Sequence, residues 1–214
     1  DGPAGAGKSS VAVEAARRLG FAFLDTGAMY RAATWRAMHL HLDLDDAEAL
    51  SLSTRMMDLD LRQTEHGQQV FVDGQDVTLA IRAPEVTRLV YKLDQNSKVR
   101  QTLVAVQRLF GERGPTVAEG RDIGTVVFPK AKCKIFMDAS IEERTRRRAA
   151  QLAAKGVEVD LETLRGEIQE RDEQSRNRQD SPLCQAEDAI LLDTSGLTFE
   201  EAADAVVRLA RERL

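Results

Sequence analysis

The 214-residue chain is poor in cysteine and has no long apolar run. Its two cysteines, Cys133 and Cys184, lie far apart, and neither has a cysteine or histidine at metal-ligand spacing. The sequence therefore supports neither a zinc site nor a disulfide framework, and it predicts buried, reduced thiols. No apolar run approaches the roughly 18 residues that a membrane helix needs, and no signal peptide is visible. We expect a protein that works in the cytoplasm and does not contact a membrane.

An excess of basic residues is also absent. Lys and Arg together number 30 against 35 for Asp and Glu, which gives a net charge of -5. This balance argues against a nucleic acid polymer as the main partner, because such binding rests on an excess of positive charge. The hydrophobic content of 43% is enough for a packed core, and the length suits one domain with insertions.

The first residues carry the most specific motif of the chain. Residues 2–9, Gly-Pro-Ala-Gly-Ala-Gly-Lys-Ser, fit the pattern of a phosphate-binding P-loop. The glycines let backbone N–H groups point at phosphate oxygens, and the following helix turns its positive end toward the same anion. Lys8 is predicted to reach the β- and γ-phosphates, and the Ser9 hydroxyl to lie near Mg²⁺. The predicted nucleotide-binding residues are Gly2, Pro3, Ala4, Gly5, Ala6, Gly7, Lys8, Ser9 and Ser10.

A P-loop ordinarily follows a β-strand, yet only Asp1 precedes Gly2 here. The first strand is therefore expected to be missing from the sequence as written. In doubly wound proteins that strand is usually central and buried, so we expect the sequence to be less stable without it.

Periodicity along the chain predicts strands that alternate with helices. Helices are predicted at 10–19, 28–41, 84–110 and 198–212, and short apolar strands at 21–25, 116–119, 133–137 and 189–193. Alternation of polar and apolar residues at 58–77, with turns at 65–67 and 73–74, predicts a small antiparallel insertion. In the last helix, Phe199, Ala202, Ala203, Val206, Leu209 and Ala210 are predicted to face inward.

This order of elements indicates an α/β protein with a doubly wound parallel sheet and helices on both faces. In such sheets ligands bind beyond the carboxyl ends of the strands. The residues to inspect are therefore 25–31, 119–122 and those after Asp138.

The chain beyond Asp138 is dense in arginine. The set comprises Arg144, Arg146, Arg147, Arg148, Arg165, Arg171, Arg176 and Arg178. A solvated charged face with neighbouring glutamates explains any one of them, but as a group they suit the spread negative charge of phosphoryl transfer. Residues 153–157, Ala-Ala-Lys-Gly-Val, are predicted to break the helix between two clusters, as in a mobile lid.

Longer runs carry a family resemblance. Besides the P-loop they are residues 24–31 (Leu-Asp-Thr-Gly-Ala-Met-Tyr-Arg), 119–129 (Glu-Gly-Arg-Asp-Ile-Gly-Thr-Val-Val-Phe-Pro), 134–139 and the pair Arg171-Asp172. In these runs the chain resembles the bacterial cytidylate kinases, a family of nucleoside monophosphate kinases, over almost its whole length. The resemblance implies transfer of phosphate from ATP to CMP or dCMP with Mg²⁺, in pyrimidine nucleotide metabolism. It also implies one domain over 1–214, with a core at 1–57, 111–150 and 179–214, an acceptor-binding insertion at about 58–110 and a lid at about 151–178.

Site residues follow from the resemblance position by position. Arg31 and Arg121 fall where the family binds the acceptor phosphate, and Tyr30 packs beside that site. Thr26, Arg100, Asp122 and Arg178 fall around the cytosine, and Arg171 near the sugar. Glu119 falls near the metal, which it is expected to reach through water, although a helix cap or a salt bridge would also explain Glu119 and Asp122. The predicted catalytic set is Lys8, Arg121, Arg148 and Arg171.

The chain departs from the family at two positions. Tyr91 and Ser175 stand where a small hydroxyl residue and an aspartate normally face the ribose. Two other functions therefore remain as alternatives: a P-loop kinase for UMP or another small acceptor, and a nucleotide-binding regulatory protein without turnover. For the leading prediction we expect a monomer whose partners are ATP, CMP and dCMP.

Overall fold

The computed structural model describes residues 1–65, 67–154 and 156–214, which form a mixed α/β fold. The α-helices are α1 (Lys8–Leu19), α2 (Thr26–His39), α3 (Ala47–Arg55), α4 (Pro84–Asp94), α5 (Ser97–Gly111), α6 (Ile141–Ala153), α7 (Leu161–Arg176) and α8 (Phe199–Arg211). The strands are β1 (Ala22–Asp25), β2 (Leu59–Thr64), β3 (Gly67–Val72), β4 (Gln75–Asp76), β5 (Thr116–Glu119), β6 (Ile135–Asp138) and β7 (Ile190–Asp193). A 3₁₀ turn lies at Ala80–Arg82 and a π-helix at Ile123–Val127. Among the described residues, no helix has both the length and the apolar character needed to cross a bilayer.

The chain divides into two units. One unit comprises Asp1–Ala15 together with Gly120–Leu214, and we call it the P-loop unit. The other comprises Ala16–Glu119, and we call it the hairpin unit. The predicted functional division into core, insertion and lid stays a prediction.

In the hairpin unit, β1 and β5 pair in parallel, with Asp25 opposite Glu119 at their carboxyl ends. Strands β2, β3 and β4 form an antiparallel sheet, which confirms the predicted antiparallel character of 58–77. The turn at 73–74 has positive φ angles as predicted, whereas His66 of the predicted turn at 65–67 lies outside the described residues. Buried Ala28 and Ala32 of α2 pack in one cluster with Val70, Val72 and other apolar residues of this unit.

In the P-loop unit, β6 and β7 pair in parallel from Ile135 opposite Ile190 to Asp138 opposite Asp193. The inner face of α8 is buried, as predicted, at Ala202, Ala203, Val206 and Ala210. Phe199 is a correction, because it is 47% exposed. It is the first residue of a helix capped by Thr198, and the buried face begins only at Ala202.

Local caps explain two of the differences from the predicted helices. α2 begins at Thr26 rather than at residue 28, since the Asp25 carboxylate accepts a hydrogen bond from the Ala28 N–H and so acts as the N-cap. The single helix predicted at 84–110 is two helices. Asn96 lies between them and is the N-cap of α5. Its side-chain oxygen accepts hydrogen bonds from the N–H groups of Lys98 and Val99.

The predicted break between the arginine clusters lies between α6 and α7. α6 ends at Ala153, and Gly156 follows with a φ of 74°, while Lys155 lies outside the described residues. Asp160 then caps α7 by accepting a hydrogen bond from the Thr163 N–H at 2.8 Å. The predicted motion of this region as a lid stays a prediction.

The two cysteines are free, but their predicted burial is only partly correct. Cys133 is half-buried, and burial raises the pKa of its thiol. Cys184 is exposed, because it lies in the irregular segment between α7 and β7 rather than in a strand or helix of the core.

Candidate active site

The P-loop has a backbone that only glycine can adopt at its first position. Gly2 has a φ of 145°, and a Cβ atom added to it would lie 2.0 Å from the carbonyl oxygen of Met137. Gly5 and Gly7 also have positive φ angles, of 79° and 86°. α1 begins directly after them at Lys8, so its first N–H groups lie at the end of the loop. The sequence prediction of a glycine-shaped loop that leads into a helix is therefore confirmed.

Side chains and strands of the same unit hold this loop. Lys8 Nζ donates a hydrogen bond to the carbonyl oxygen of Pro3 at 2.7 Å, so the lysine folds back over its own loop. The Met137 N–H of β6 donates to the carbonyl of Asp1 at 2.8 Å. The Asp1 carboxylate accepts from the N–H groups of Ile123 and Gly124 at 2.8 and 2.7 Å. The loop is thereby joined to β6 and to the π-helix.

Two arginines of α6 contact the P-loop region, although neither was predicted as a site residue. Arg144 is buried, and its side chain forms an ion pair with Asp172 of α7. Arg147 donates to the carbonyl oxygen of Thr194, and the Thr194 hydroxyl lies 3.4 Å from the carbonyl of Ala6. The side chains of these two arginines thus form contacts within the P-loop unit.

Glu143 is the acidic partner of two arginines on its own helix, α6. Its carboxylate accepts hydrogen bonds from Arg146 and Arg147 at 2.7 to 2.8 Å. The hydrogen bonds from Arg146 and then Arg147 lower the pKa of Glu143 to about 2. The glutamate partner expected of a solvated charged face is therefore present in this part of the segment, but of these three side chains only that of Arg146 is exposed.

Arg121 and Arg171, both predicted to be catalytic, lie beside each other in the P-loop unit. Arg121 Nη1 donates to the carbonyl oxygen of Arg171 at 3.3 Å and also to the hydroxyl of Ser175. The Ser175 hydroxyl in turn donates to the Arg171 carbonyl at 2.7 Å. α7 thus holds the guanidinium of Arg121, and it does so through Ser175, a position where the chain departs from the family.

The remaining predicted residues of this unit have different surroundings. Asp122 is buried and precedes the π-helix, where its carbonyl accepts from the N–H groups of Val126 and Val127. Arg178 is buried and donates to the carbonyl of Ser181 at 2.7 Å. Arg148 is half-buried, and its Nη1 lies 3.4 Å from Gln151 Oε1 on the same helix.

In the hairpin unit, the carboxyl ends of β1 and β5 bring Thr26 and Glu119 together. The buried Thr26 hydroxyl donates to the carbonyl of Glu119 at 2.8 Å. Asp25, one residue earlier, pairs with Arg82 at 3.0 Å. Arg82 was not predicted, because it lies in a short 3₁₀ turn that no periodicity marks.

Arg31 and Arg100 of the hairpin unit are oriented by separate contacts. Arg31 Nη1 donates to the Thr87 hydroxyl at 2.7 Å and to the Ile81 carbonyl at 3.3 Å. The Arg100 guanidinium lies over the ring of Tyr30, with its carbon 5.4 Å from the ring centroid. Arg100 and Tyr30 are both buried. Tyr30 thus packs against Arg100, and its predicted place beside the acceptor phosphate stays a prediction.

The predicted metal ligands have suitable donor chemistry. Ser9 offers an exposed hydroxyl in the first turn of α1, and Glu119 offers a carboxylate in a residue that is only 7% exposed. Within the described residues, no group of three or more His, Cys, Asp or Glu side chains is arranged to hold a metal. Mg²⁺ commonly binds through one or two protein oxygens, phosphate and water, so a hydroxyl and a carboxylate fit this ion.

The comparison with known proteins gives the family. A model of the cytidylate kinase family matches residues 1–212. The chain belongs to this family. The match spans the P-loop, Arg31, Arg121 and α7, so the family assignment does not depend on the phosphate-binding motif alone.

Individual members of the family are similar over the full length of this chain. The cytidylate kinase of Enterococcus faecalis is 46% identical over 213 residues, which cover 100% of this chain and 94% of that protein. A cytidylate kinase from a Geobacillus species is 47% identical over 214 residues, which cover 100% of this chain and 96% of that protein. A bifunctional pantoate ligase/cytidylate kinase of Synechococcus elongatus is 49% identical, and the match covers 41% of its length.

Asp172 and Ser175 were not predicted as site residues, although Asp172 contacts the Ala4 N–H and Ser175 contacts Arg121. Both are buried, and they continue the face of α7 that starts with the buried Leu164 and Ile168. The signal was present, because residues four apart on a helix share a face. A polar residue at such a position must find a partner inside the protein.

Proposed function

We propose that this protein is an ATP-dependent kinase that transfers the γ-phosphoryl group of ATP to CMP or dCMP, giving ADP and CDP or dCDP. The match of residues 1–212 to the cytidylate kinase family carries the proposal. The glycine-shaped P-loop supports the donor half of the reaction, because its N–H groups and Lys8 suit a triphosphate. A place in pyrimidine nucleotide metabolism follows from these substrates.

Two arginines support the acceptor half of the proposed reaction. We propose that Arg31 and Arg121 bind the acceptor phosphate, because guanidinium groups bind phosphate through two parallel hydrogen bonds. Both side chains are already oriented by hydroxyl groups, Arg31 by Thr87 and Arg121 by Ser175. A side chain held in place loses less conformational freedom when the acceptor binds.

Other residues are proposed to bind the base and the sugar of the acceptor, and the base is recognised by a group that distinguishes cytosine from uracil. We propose that Asp122 accepts a hydrogen bond from the exocyclic amine of cytosine, a donor that uracil lacks at that position. The other proposed acceptor-binding residues are Thr26, Tyr30, Arg100 and Arg178. Arg171 would lie near the sugar.

Catalysis is proposed to proceed by positioning and by stabilisation of charge, without a covalent intermediate. The negative charge that spreads over the phosphoryl oxygens would be stabilised by four cationic side chains, those of Lys8, Arg121, Arg148 and Arg171. Residues 2–10 would bind the triphosphate of ATP. Ser9 and, through water, Glu119 would hold Mg²⁺, which neutralises charge on the phosphates.

Finer features of the fold belong to the same proposal. We propose that the parallel pairs belong to a doubly wound sheet and that 151–178 acts as a lid that excludes water. We also propose a cytoplasmic monomer whose partners are nucleotides rather than nucleic acid polymers. The net charge of -5 supports nucleotides rather than nucleic acid polymers as partners. The presence of the proposed donor and acceptor residues in one chain supports a monomer.

A substrate panel tests the reaction. We expect kcat/KM for CMP and dCMP to exceed that for UMP and AMP by at least about tenfold, because a site that pairs with the cytosine amine leaves polar groups unsatisfied with other bases. Phosphoryl transfer from ATP is measured with each acceptor at saturating Mg²⁺. A preference for AMP would contradict the cytosine assignment, and ATP binding without turnover on any acceptor would indicate a regulatory protein.

The same assay with Arg121→Ala tests the acceptor arginine. Turnover of CMP is expected to fall about a hundredfold, because a charge-stabilising donor is lost, while the affinity for ATP is retained. Arg176→Ala is the matched control, since Arg176 is an exposed arginine of α7 that the proposal leaves out of the site. An unchanged rate with Arg121→Ala would remove this residue from the site.

A further inference from the structure

Asp172 joins α7 to the P-loop within the P-loop unit. The residue is 3% exposed, and its Oδ1 accepts a hydrogen bond from the Ala4 N–H at 3.0 Å. Its Oδ2 pairs with Arg144 Nη1. Both carboxylate oxygens of one buried side chain therefore have partners, and one of these partners is the backbone of the phosphate-binding loop.

Arg144 contacts the same loop residue from α6. Its Nη1 also donates to the Ala4 carbonyl at 3.0 Å, and its Nε donates to the Ala139 carbonyl at 3.0 Å. A Cβ atom on Gly5 would lie 3.3 Å from Arg144 Cβ, so the loop packs closely on this arginine. The N–H and the C=O of Ala4 are thus both bound by one buried ion pair.

These contacts fix the middle of the P-loop before any nucleotide arrives. Phosphate affinity depends on N–H groups that already point in the required direction, because ordering a loop on binding costs free energy. Ala4 lies between Gly2 and Gly5, two residues with positive φ angles, where the backbone has the most freedom to rearrange.

We propose that Asp172, together with Arg144, is a positioning residue that holds the P-loop in its nucleotide-binding conformation. The proposal rests on the function proposed above only in naming ATP as the ligand. Asp172 does not touch the reacting atoms; it acts through the backbone of Ala4. A purely structural ion pair would stabilise the fold without a selective effect on ATP.

Asp172→Asn and Asp172→Ala test the proposal. Asparagine keeps an oxygen that can accept from the Ala4 N–H but removes the charge, whereas alanine removes both. We expect the Kd for ATP, measured by calorimetry, to rise about tenfold with Asn, because the buried Arg144 loses its charged partner, and further with Ala, because the Ala4 N–H also loses its acceptor. The KM for CMP should change less than about threefold. Glu173→Gln, an exposed neighbour on α7, is the matched control and should bind ATP as the unaltered protein does.

A double variant separates folding from positioning. Replacing both members of a buried ion pair by apolar residues costs less stability than leaving one charge unpaired, so Arg144→Met combined with Asp172→Leu should unfold at a higher urea concentration than Asp172→Ala alone. Its Kd for ATP should remain raised. A double variant that is stable and binds ATP normally would overturn the proposal.

Hydrogen exchange on the unaltered protein keeps the test independent of any variant. The Ala4 amide should be protected before ATP is added, because it donates to a buried carboxylate. An Ala4 amide that exchanges as fast as an exposed loop amide would also overturn the proposal. The function and the inference fail separately: protein that binds ATP but does not phosphorylate CMP contradicts the first, whereas the ATP affinities decide the second.

Discussion

At the scale of single residues, the phosphate site depends on close contacts that leave no room for side chains. Gly2 lies against the carbonyl of Met137, and Gly5 lies against Arg144. Other residues act through their hydrogen-bond partners: Ser175 holds Arg121, and Thr87 holds Arg31. The arginines that the sequence predicts are thus oriented by small hydroxyl residues that it does not predict.

Gly2→Ala should abolish measurable ATP binding and lower the melting temperature. An alanine Cβ would lie 2.0 Å from the Met137 carbonyl oxygen, which no real Cβ atom can do, and the φ of 145° is unfavourable for alanine. ATP affinity by calorimetry and thermal unfolding by circular dichroism check this result.

The same substitution at Gly166 is the control. Gly166 is an exposed glycine inside α7, and a Cβ atom there meets nothing within 4 Å. Alanine is the better helix former by about 1 kcal/mol, which should raise the melting temperature by about 2 to 4 °C. Gly2→Ala with unaltered ATP affinity would contradict the glycine-only conformation of the loop.

At the scale of elements, the sequence predicts most helices and strands but not where caps interrupt them. The helix predicted at 84–110 has buried Val86, Leu93, Val99 and Leu103, whose spacing hides the break at Asn96. The π-helix after Asp122 was not predicted either, because its five-residue spacing leaves no mark in so short a segment. Caps and close approaches depend on a few specific hydrogen bonds, and periodicity does not register these.

Asn96→Ala should destabilise the protein by about 1 kcal/mol, the usual cost of losing an N-cap. Asn96 Oδ1 accepts from the N–H groups of Lys98 and Val99 at 3.0 and 3.2 Å, and its Nδ2 donates to the Ala47 carbonyl at 2.9 Å. Urea unfolding measures the change.

Asn96→Asp shows which of these hydrogen bonds matters. A carboxylate keeps the cap and suits the positive end of α5, but it cannot donate to Ala47. We therefore expect Asn96→Asp to be more stable than Asn96→Ala. Equal loss in the two variants would assign the stabilisation to the hydrogen bond with α3 instead of the cap.

At the scale of the whole molecule, the sequence predicts the α/β class, the antiparallel insertion and the family. It does not predict which polar residues become buried partners. Arg144 was one of eight arginines in a charged segment, and only the structure distinguishes its buried pair with Asp172 from the more exposed pairs of Arg146 and Arg147 with Glu143. Charge alone does not separate these cases, because burial depends on how α6 and α7 pack.

The ion pairs of Glu143 and Asp188 give the molecule a predictable response to acid. Hydrogen bonds from Arg146 and Arg147 lower the pKa of Glu143 to about 2, and a hydrogen bond from Lys134 lowers the pKa of Asp188. In an unfolded chain such carboxyls titrate near about 4. A carboxyl whose pKa is lower in the folded state stabilises the protein when the pH is above the pKa of the unfolded chain. This stabilisation is lost as the pH falls toward the pKa of the folded state.

The urea midpoint should therefore change little between pH 8 and 6 and fall from about pH 5 to pH 3. Glu143→Gln should make that fall shallower, since one of the contributing carboxyls is gone. A midpoint that rises on acidification, or a variant with an unchanged pH profile, would contradict this origin of the acid sensitivity.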